Sequence, residues 1–254
     1  MGLSDLAGLA LDPDLGAGAE ARAFAAQYDG AAPLEILSDA ITSHYRGRIA
    51  LVSSFGADSS VLLHMVATVD PSTPVLFVDT GKLFSQTLRY RDALVEQLGL
   101  TDVRVARPER DELTAIDPSG MLWMTDTDAC CNVRKVLPLA RALKGFDAWI
   151  SGRKRFQSAT RAALPVFEAE DGRVKVNPLA NWTAADILGY AKAHDLPPHP
   201  LVAEGYPSIG CLPCTDKVAP GEDPRAGRWR GQAKTECGIH LSLSASPLPG
   251  QGNT

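Results

Sequence analysis

Apolar and polar positions along the chain fall into two recurring patterns. Nearly continuous apolar runs occur in RIALVSSF (48–55), PVLFVDTG (74–81) and FDAWISGR (146–153), each ending in small or polar residues, while DVRVARP (102–108) alternates. Between them, SSVLLHMVATV (59–69), SQTLRYRDALVEQLG (85–99) and VRKVLPLARALKG (133–145) repeat apolar residues at helical spacing. The runs read as strands and the spaced segments as helices. Strands alternating with helices predict an α/β fold, a single doubly wound, mostly parallel sheet flanked by helices. Ligands of such sheets lie beyond the carboxyl ends of the strands, where SSFGADS, VDTG and SGRKRFQSATR all fall.

The pattern also divides the chain. Residues 1–47 read as an Ala-rich helical leader and 48–219 as the α/β domain, in which a further helix, NWTAADILGYAKAHD, follows from Asn181. Residues 220–254, rich in Pro, Gly and Ser, read as a flexible C-terminal segment. With 254 residues, nearly half of them apolar, one large domain is expected. No stretch approaches the roughly 18 apolar residues of a membrane span. The N-terminus has no basic region or long apolar run, and Leu6 stands where a myristoylation motif has Ser or Thr. A cytoplasmic protein is expected.

Net charge is −5, but residues 130–161 carry eight basic side chains against one acid, Asp147. Local positive charge in an acidic protein suits a compact anion such as a nucleotide better than duplex nucleic acid. A strand-to-helix turn at Ser53–Ser60 offers amides and hydroxyls to such an anion, without the Lys and spacing of a Walker A loop. It resembles the PP-loop, S-G-G-x-D-S, with Phe55 in place of the first Gly.

Five cysteines narrow the chemistry further. Cys130 and Cys131 are adjacent, and Cys211 and Cys214 form CLPC. Two such pairs can ligate zinc or an iron–sulfur cluster, and directly adjacent cysteines fit the usual zinc loops poorly. Cys237 stands apart in KTECGIH (234–240), with no apolar run to bury it.

Taken together, CCNVRK (130–135), CLPC (211–214), PGEDPRAGRW (220–229) and ECGIH (236–240) resemble the assimilatory adenylyl-sulfate (APS) reductases, the iron–sulfur branch of the APS/PAPS reductase family. The resemblance runs from about Arg48 to His240. It implies a [4Fe-4S] cluster on Cys130, Cys131, Cys211 and Cys214, and Cys237 as the nucleophile that displaces AMP from APS and leaves an S-sulfocysteine. Thioredoxin or a similar dithiol then releases sulfite, and a homo-oligomer is implied as well. Ser53, Ser54, Gly56 and the turn Asp79-Thr80-Gly81 are expected to cradle the nucleotide. Lys135, Arg153, Arg161, Arg225 and Arg228 are expected on the phosphosulfate, with Arg134 and His240 as auxiliaries. Lys234 and a protonated His240 would favour a Cys237 thiolate, and Glu236 would oppose it.

Two other activities are compatible with parts of the pattern. PAPS reduction, alone or beside APS reduction, uses the same chemistry, although cluster-free PAPS reductases lack the cysteine pairs. An ATP-using PP-loop adenylating or thiolating enzyme would release pyrophosphate and leave Cys237 without a role.

Overall fold

The computed structural model describes residues 13–232 and 234–240, with residues 13–15 and 240 described in their backbone only. Six strands, β1 (Ile49–Ser53), β2 (Val75–Val78), β3 (Val103–Ala106), β4 (Ala148–Ser151), β5 (Phe167–Glu170) and β6 (Arg173–Val176), form one sheet in the order β3-β2-β1-β4-β6-β5. All neighbours are parallel except the edge pair β5–β6. Leu51 stands opposite Val75 on one side and Ile150 on the other. Strand order reverses between β1 and β4, which makes the gap at their carboxyl ends the topological switch point.

The apolar runs are explained by burial on both faces. Leu51, Val75, Phe77, Ala148 and Ile150 face a core built with α1 (Pro13–Gln27), α2 (Pro33–Asp39), α3 (Ser59–Val69), α4 (Ser85–Leu98) and, through Ile187, α9 (Ala184–Ala193). Their alternates Ala50, Leu76 and Trp149 face a second core with Val136, Leu139 and Leu143. Ile239, from the C-terminal segment, packs against that second core. The leader helix α1 contributes Ala17, Ala21, Phe24 and Tyr28 to the first core, so its described part is built into the same body.

No strand is predicted between 154 and 181 from the sequence, yet β5 and β6 form a hairpin there. Its turn is Asp171-Gly172, with φ of 51° and 73°, and Asp-Gly is a favoured pair where both central residues are left-handed. Lys175, fully buried on β6, pairs with Glu170 and Glu168 and lies 4.3 Å above the Trp149 ring. A buried charge persists only when paired in this way.

The helix predicted over 133–145 begins earlier. Asp126 caps α7 (Thr127–Cys131) by accepting a hydrogen bond from the Ala129 amide at 2.8 Å. A π-helical turn, Asn132–Val136, then leads into α8 (Leu137–Ala142). Pro138 supplies the reason: it has no N–H to donate and would crowd the carbonyl four residues earlier, and a widened turn relieves both. The remaining short helices are α5 (Arg110–Ile116), α6 (Leu122–Thr125) and α10 (Pro200–Ala203). Among the described residues no helix is long and apolar enough to cross a membrane.

Candidate active site

Three loops meet at the switch point. In the turn after β1, Phe55 takes a left-handed backbone, φ 48°, and buries its ring completely against Phe77 with centroids 5.4 Å apart. Glycine adopts that backbone without strain; here ring burial compensates for the Cβ. Ser53 Oγ accepts from the Phe55 amide at 3.2 Å. Gly56 is buried, and a Cβ there would come within 3.3 Å of Ser54 Oγ, so the turn is tight. Asp58 accepts from Lys154 Nζ at 3.1 Å and Gln157 Nε2 at 3.4 Å, which ties this turn to the loop after β4. After β2, the Gly81 amide donates to Asp79 Oδ1 at 3.0 Å, and the Lys82 amide donates to Thr80 Oγ1 at 3.1 Å.

Both cysteine pairs line a single pocket beside these loops, together with Lys82, Trp123, Thr127, Arg134, Lys135 and Pro213. Cys130 and Cys131 come from α7, and the CLPC loop is pinned to the exit of β2. Leu83 bridges Cys211 across an isolated β-bridge, and the Leu212 amide donates to the Lys82 carbonyl at 2.8 Å. Thr80 Oγ1 lies 3.3 Å from Cys211 Sγ. Burial, reinforced by Cys211 and Cys214, pushes the Cys130 thiol up to about 11, against the pull of Arg134. A larger cleft at the opposite ends of β1, β4 and β6, lined by Tyr45, Arg48, Asp147 and Arg173, contains none of these groups.

Among the described residues no three His, Cys, Asp or Glu side chains converge as they would round a single ion. The four thiols of the two pairs share one pocket with Lys82, Arg134 and Lys135.

Cys237 is not exposed as the sequence suggests. It is half-buried, and the segment round it is held from both sides. Lys234 pairs with Asp128 of α7, and a Cβ on Gly238 would stand 3.0 Å from Val136 Cγ2. Cys237 shares a hydrogen bond with Cys131, and that bond, with the nearby charges of Lys135 and Arg228, holds its thiol well below the usual cysteine range although burial opposes this. The cations that favour the thiolate are therefore Lys135 and Arg228, both expected in the site, while Lys234 is turned to Asp128. The side chain of His240 lies outside the described residues.

Arg228 owes its place to small neighbours and to Trp229. A Cβ on Gly210 would stand 2.3 Å from its Nη2, its Nη1 donates to the Ile209 carbonyl at 3.3 Å, and its guanidinium lies 4.5 Å from the Trp229 ring centroid. The other expected arginines have acidic partners. Arg153 pairs with Glu168. Arg161 donates to both oxygens of Glu236, at 2.7 and 2.6 Å, and Arg225 donates to the Thr235 carbonyl at 3.0 Å. Arg134 faces Asp117 and the Thr80 carbonyl.

Asp117, Lys82 and Trp123 belong to the site and were not singled out from the sequence. Lys82 follows the turn after β2 directly, which was a usable signal; Asp117 and Trp123 stand in a stretch whose residue types point to no chemistry.

The model of the phosphoadenosine phosphosulfate reductase domain matches residues 48–217. The chain belongs to that family. It is 58% identical over 231 residues to the adenosine 5'-phosphosulfate reductase of Mesorhizobium japonicum, covering 91% of each chain. Among solved structures it resembles the phosphoadenylyl-sulfate (PAPS) reductase of Candida auris in its phosphate complex, with a TM-score of 0.66, 27% identity and coverage of 78% of this chain and 96% of that one. The FMN adenylyltransferase of Candida glabrata shares the fold, with a TM-score of 0.51 at 14% identity over 84% of this chain and 76% of that one.

Proposed function

We propose that this chain is an oxidoreductase that reduces adenylyl sulfate to sulfite and AMP in sulfate assimilation, through a covalent intermediate on Cys237. The single observation that carries the reading is the position of Cys237: a thiol bonded to Cys131, with the charges of Lys135 and Arg228 near it, next to the pocket that the other four cysteines line. The 58% identity to an enzyme named for APS reduction supports the substrate.

In the first step the Cys237 thiolate attacks the sulfate sulfur of APS. A bond forms between Cys237 Sγ and that sulfur, the bond from sulfur to the phosphate-bridging oxygen breaks, and AMP departs with the electron pair. Both reactants are anions, so cations must neutralise the oxygens as they approach, a role that the charges of Lys135 and Arg228 near Cys237 support. Ser53, Ser54, Gly56 and the 79–81 turn cradle the nucleotide at the switch point. In the second step a thiolate of thioredoxin, or of a similar dithiol protein, attacks Cys237 Sγ and sulfite leaves with the electron pair. The second thiol of the dithiol then frees Cys237 and leaves the partner oxidised to a disulfide, which balances the two-electron reduction of sulfate sulfur to sulfite.

Cys130, Cys131, Cys211 and Cys214 would hold a [4Fe-4S] cluster. Bound there, it would supply a fixed charged group near the reacting thiol and no electrons. Cys131 as a ligand could no longer donate to Cys237, so Lys135, the backbone hydrogen bond at Ile239 and Arg228 would carry the lowering of the Cys237 thiol in the loaded enzyme.

Mixing the protein with APS and no reductant tests the covalent step. One AMP should be released per chain, and a sulfonate should appear on the peptide containing Cys237. Release of pyrophosphate from ATP with no modification of Cys237 would favour the adenylating activity instead.

A further inference from the structure

Glu236 reads from sequence as an obstacle, a negative charge one residue from the nucleophile. In the structure its carboxylate accepts from Arg161 Nε and Nη2, from Ser158 Oγ at 3.2 Å and from Thr160 Oγ1 at 3.3 Å, with Arg225 Nη2 3.7 Å away. The pair is sheltered: 8% of the Arg161 side chain and 12% of the Glu236 side chain are exposed. Consecutive side chains thus reach different elements, Glu236 to the loop after β4 and Cys237 to Cys131 on α7. Arg161 is in turn held by Gln157, which also bonds Asp58 of the turn after β1. One chain of hydrogen bonds therefore runs from the nucleotide turn to the residue beside the nucleophile.

We propose that Glu236 is a positioning residue, a latch whose carboxylate clasps Arg161 and so fixes the main chain of Cys237 at the cysteine pocket. The inference rests on the reading of Cys237 as nucleophile. It gives Arg161 to the nucleophile's own segment rather than to the substrate. The arginine also neutralises the carboxylate, so Glu236 does not repel the neighbouring thiolate. Removing one member of a sheltered, hydrogen-bonded ion pair strands the other, and the segment should then leave its seat.

The test uses the iron-loaded, nucleotide-free full chain. Wild type, Glu236→Gln, Glu236→Ala and the charge exchange Arg161→Glu with Glu236→Arg are compared for tryptic cleavage after Arg230 and Lys234 and for kinetics with APS. Unchanged iron content and circular dichroism show that each variant is folded. The latch predicts cleavage at least about tenfold faster in Glu236→Gln, a matching fall in kcat with KM within about twofold, and partial recovery of both in the exchanged pair. Cleavage unchanged in both single variants would overturn the proposal. So would a rise in KM with kcat intact, which would mean that the pair serves substrate binding. Cleavage rates need no substrate, so a chain that released no sulfite from APS would remove the functional reading while leaving the latch to be judged on cleavage.

Discussion

Arg134 donates two hydrogen bonds to Asp117 Oδ2, at 2.7 and 3.1 Å, and a third to the Thr80 carbonyl at 2.9 Å. One guanidinium joins the π turn after the cysteine pair to the turn after β2, and the Asp117 side chain beneath it is completely buried. Asp117→Ala would leave that guanidinium buried without its counter-ion. Urea unfolding should show a loss of about 3–5 kcal/mol, and Asp117→Asn, which keeps an acceptor, should lose less. Equal stability of Asp117→Ala and wild type would contradict this account of the pair.

The donor set makes a compositional prediction. Protein purified without oxygen should be brown and carry about four irons per chain. Replacing Cys130, Cys131, Cys211 or Cys214 by Ser, one at a time, should lower both iron and colour, whereas Cys237→Ser should leave them unchanged. A colourless zinc protein with full activity would contradict the assignment.

Gly227 offers a test of how the arginines are placed. A Cβ there would stand 2.1 Å from the Asp216 carbonyl oxygen, a contact with backbone that no rotamer change relieves. The Thr215–Arg228 bridge and the bond from the Asp216 amide to the Gly227 carbonyl, 2.8 Å, would have to open. Gly227→Ala should therefore displace Arg225 and Arg228 and raise KM for APS by about tenfold or more; an unchanged KM would show that neither arginine bears on the substrate.

His199 sets an acid limit on stability. Its Nδ1 accepts from the Leu201 amide at 3.2 Å while Nε2 meets Thr87 Oγ1 at 3.1 Å, so the ring must be neutral to cap α10. Burial lowers it to about 4. The unfolded chain takes up the proton first, so this contribution is complete above about pH 6.5 and is lost as pH falls from there toward 4, up to about 3 kcal/mol in all. Urea midpoints measured at pH 7 and pH 4.5 should fall further for wild type than for His199→Gln. Identical pH dependence in the two would contradict the role.

The parts of this molecule legible in the sequence are those whose signal is local. β1, β2 and β4 are buried on both faces and so read as apolar runs, and the two cysteine pairs, being rare, stood out as a set that the fold brings to one pocket. The β5–β6 hairpin was missed because its strands alternate with Glu168, Glu170, Arg173 and Lys175, charges that look solvated until β4 brings Trp149 beneath Lys175. The π turn depends on Pro138 acting inside a buried helix, which a periodicity cannot convey. Glu236 was misread for the same kind of reason: its neutralising partner, Arg161, is 75 positions earlier in the chain.

The central claim is that Cys237 reduces the sulfur of APS with electrons from a dithiol. It is tested most directly by measuring sulfite from APS and from PAPS side by side, with reduced thioredoxin, for wild type and Cys237→Ser. The account predicts sulfite from APS with wild type, less or none from PAPS, and none from either with Cys237→Ser although iron and AMP binding persist. Thioredoxin-dependent sulfite release by Cys237→Ser, or no sulfite from APS with the iron-loaded wild type, would contradict it.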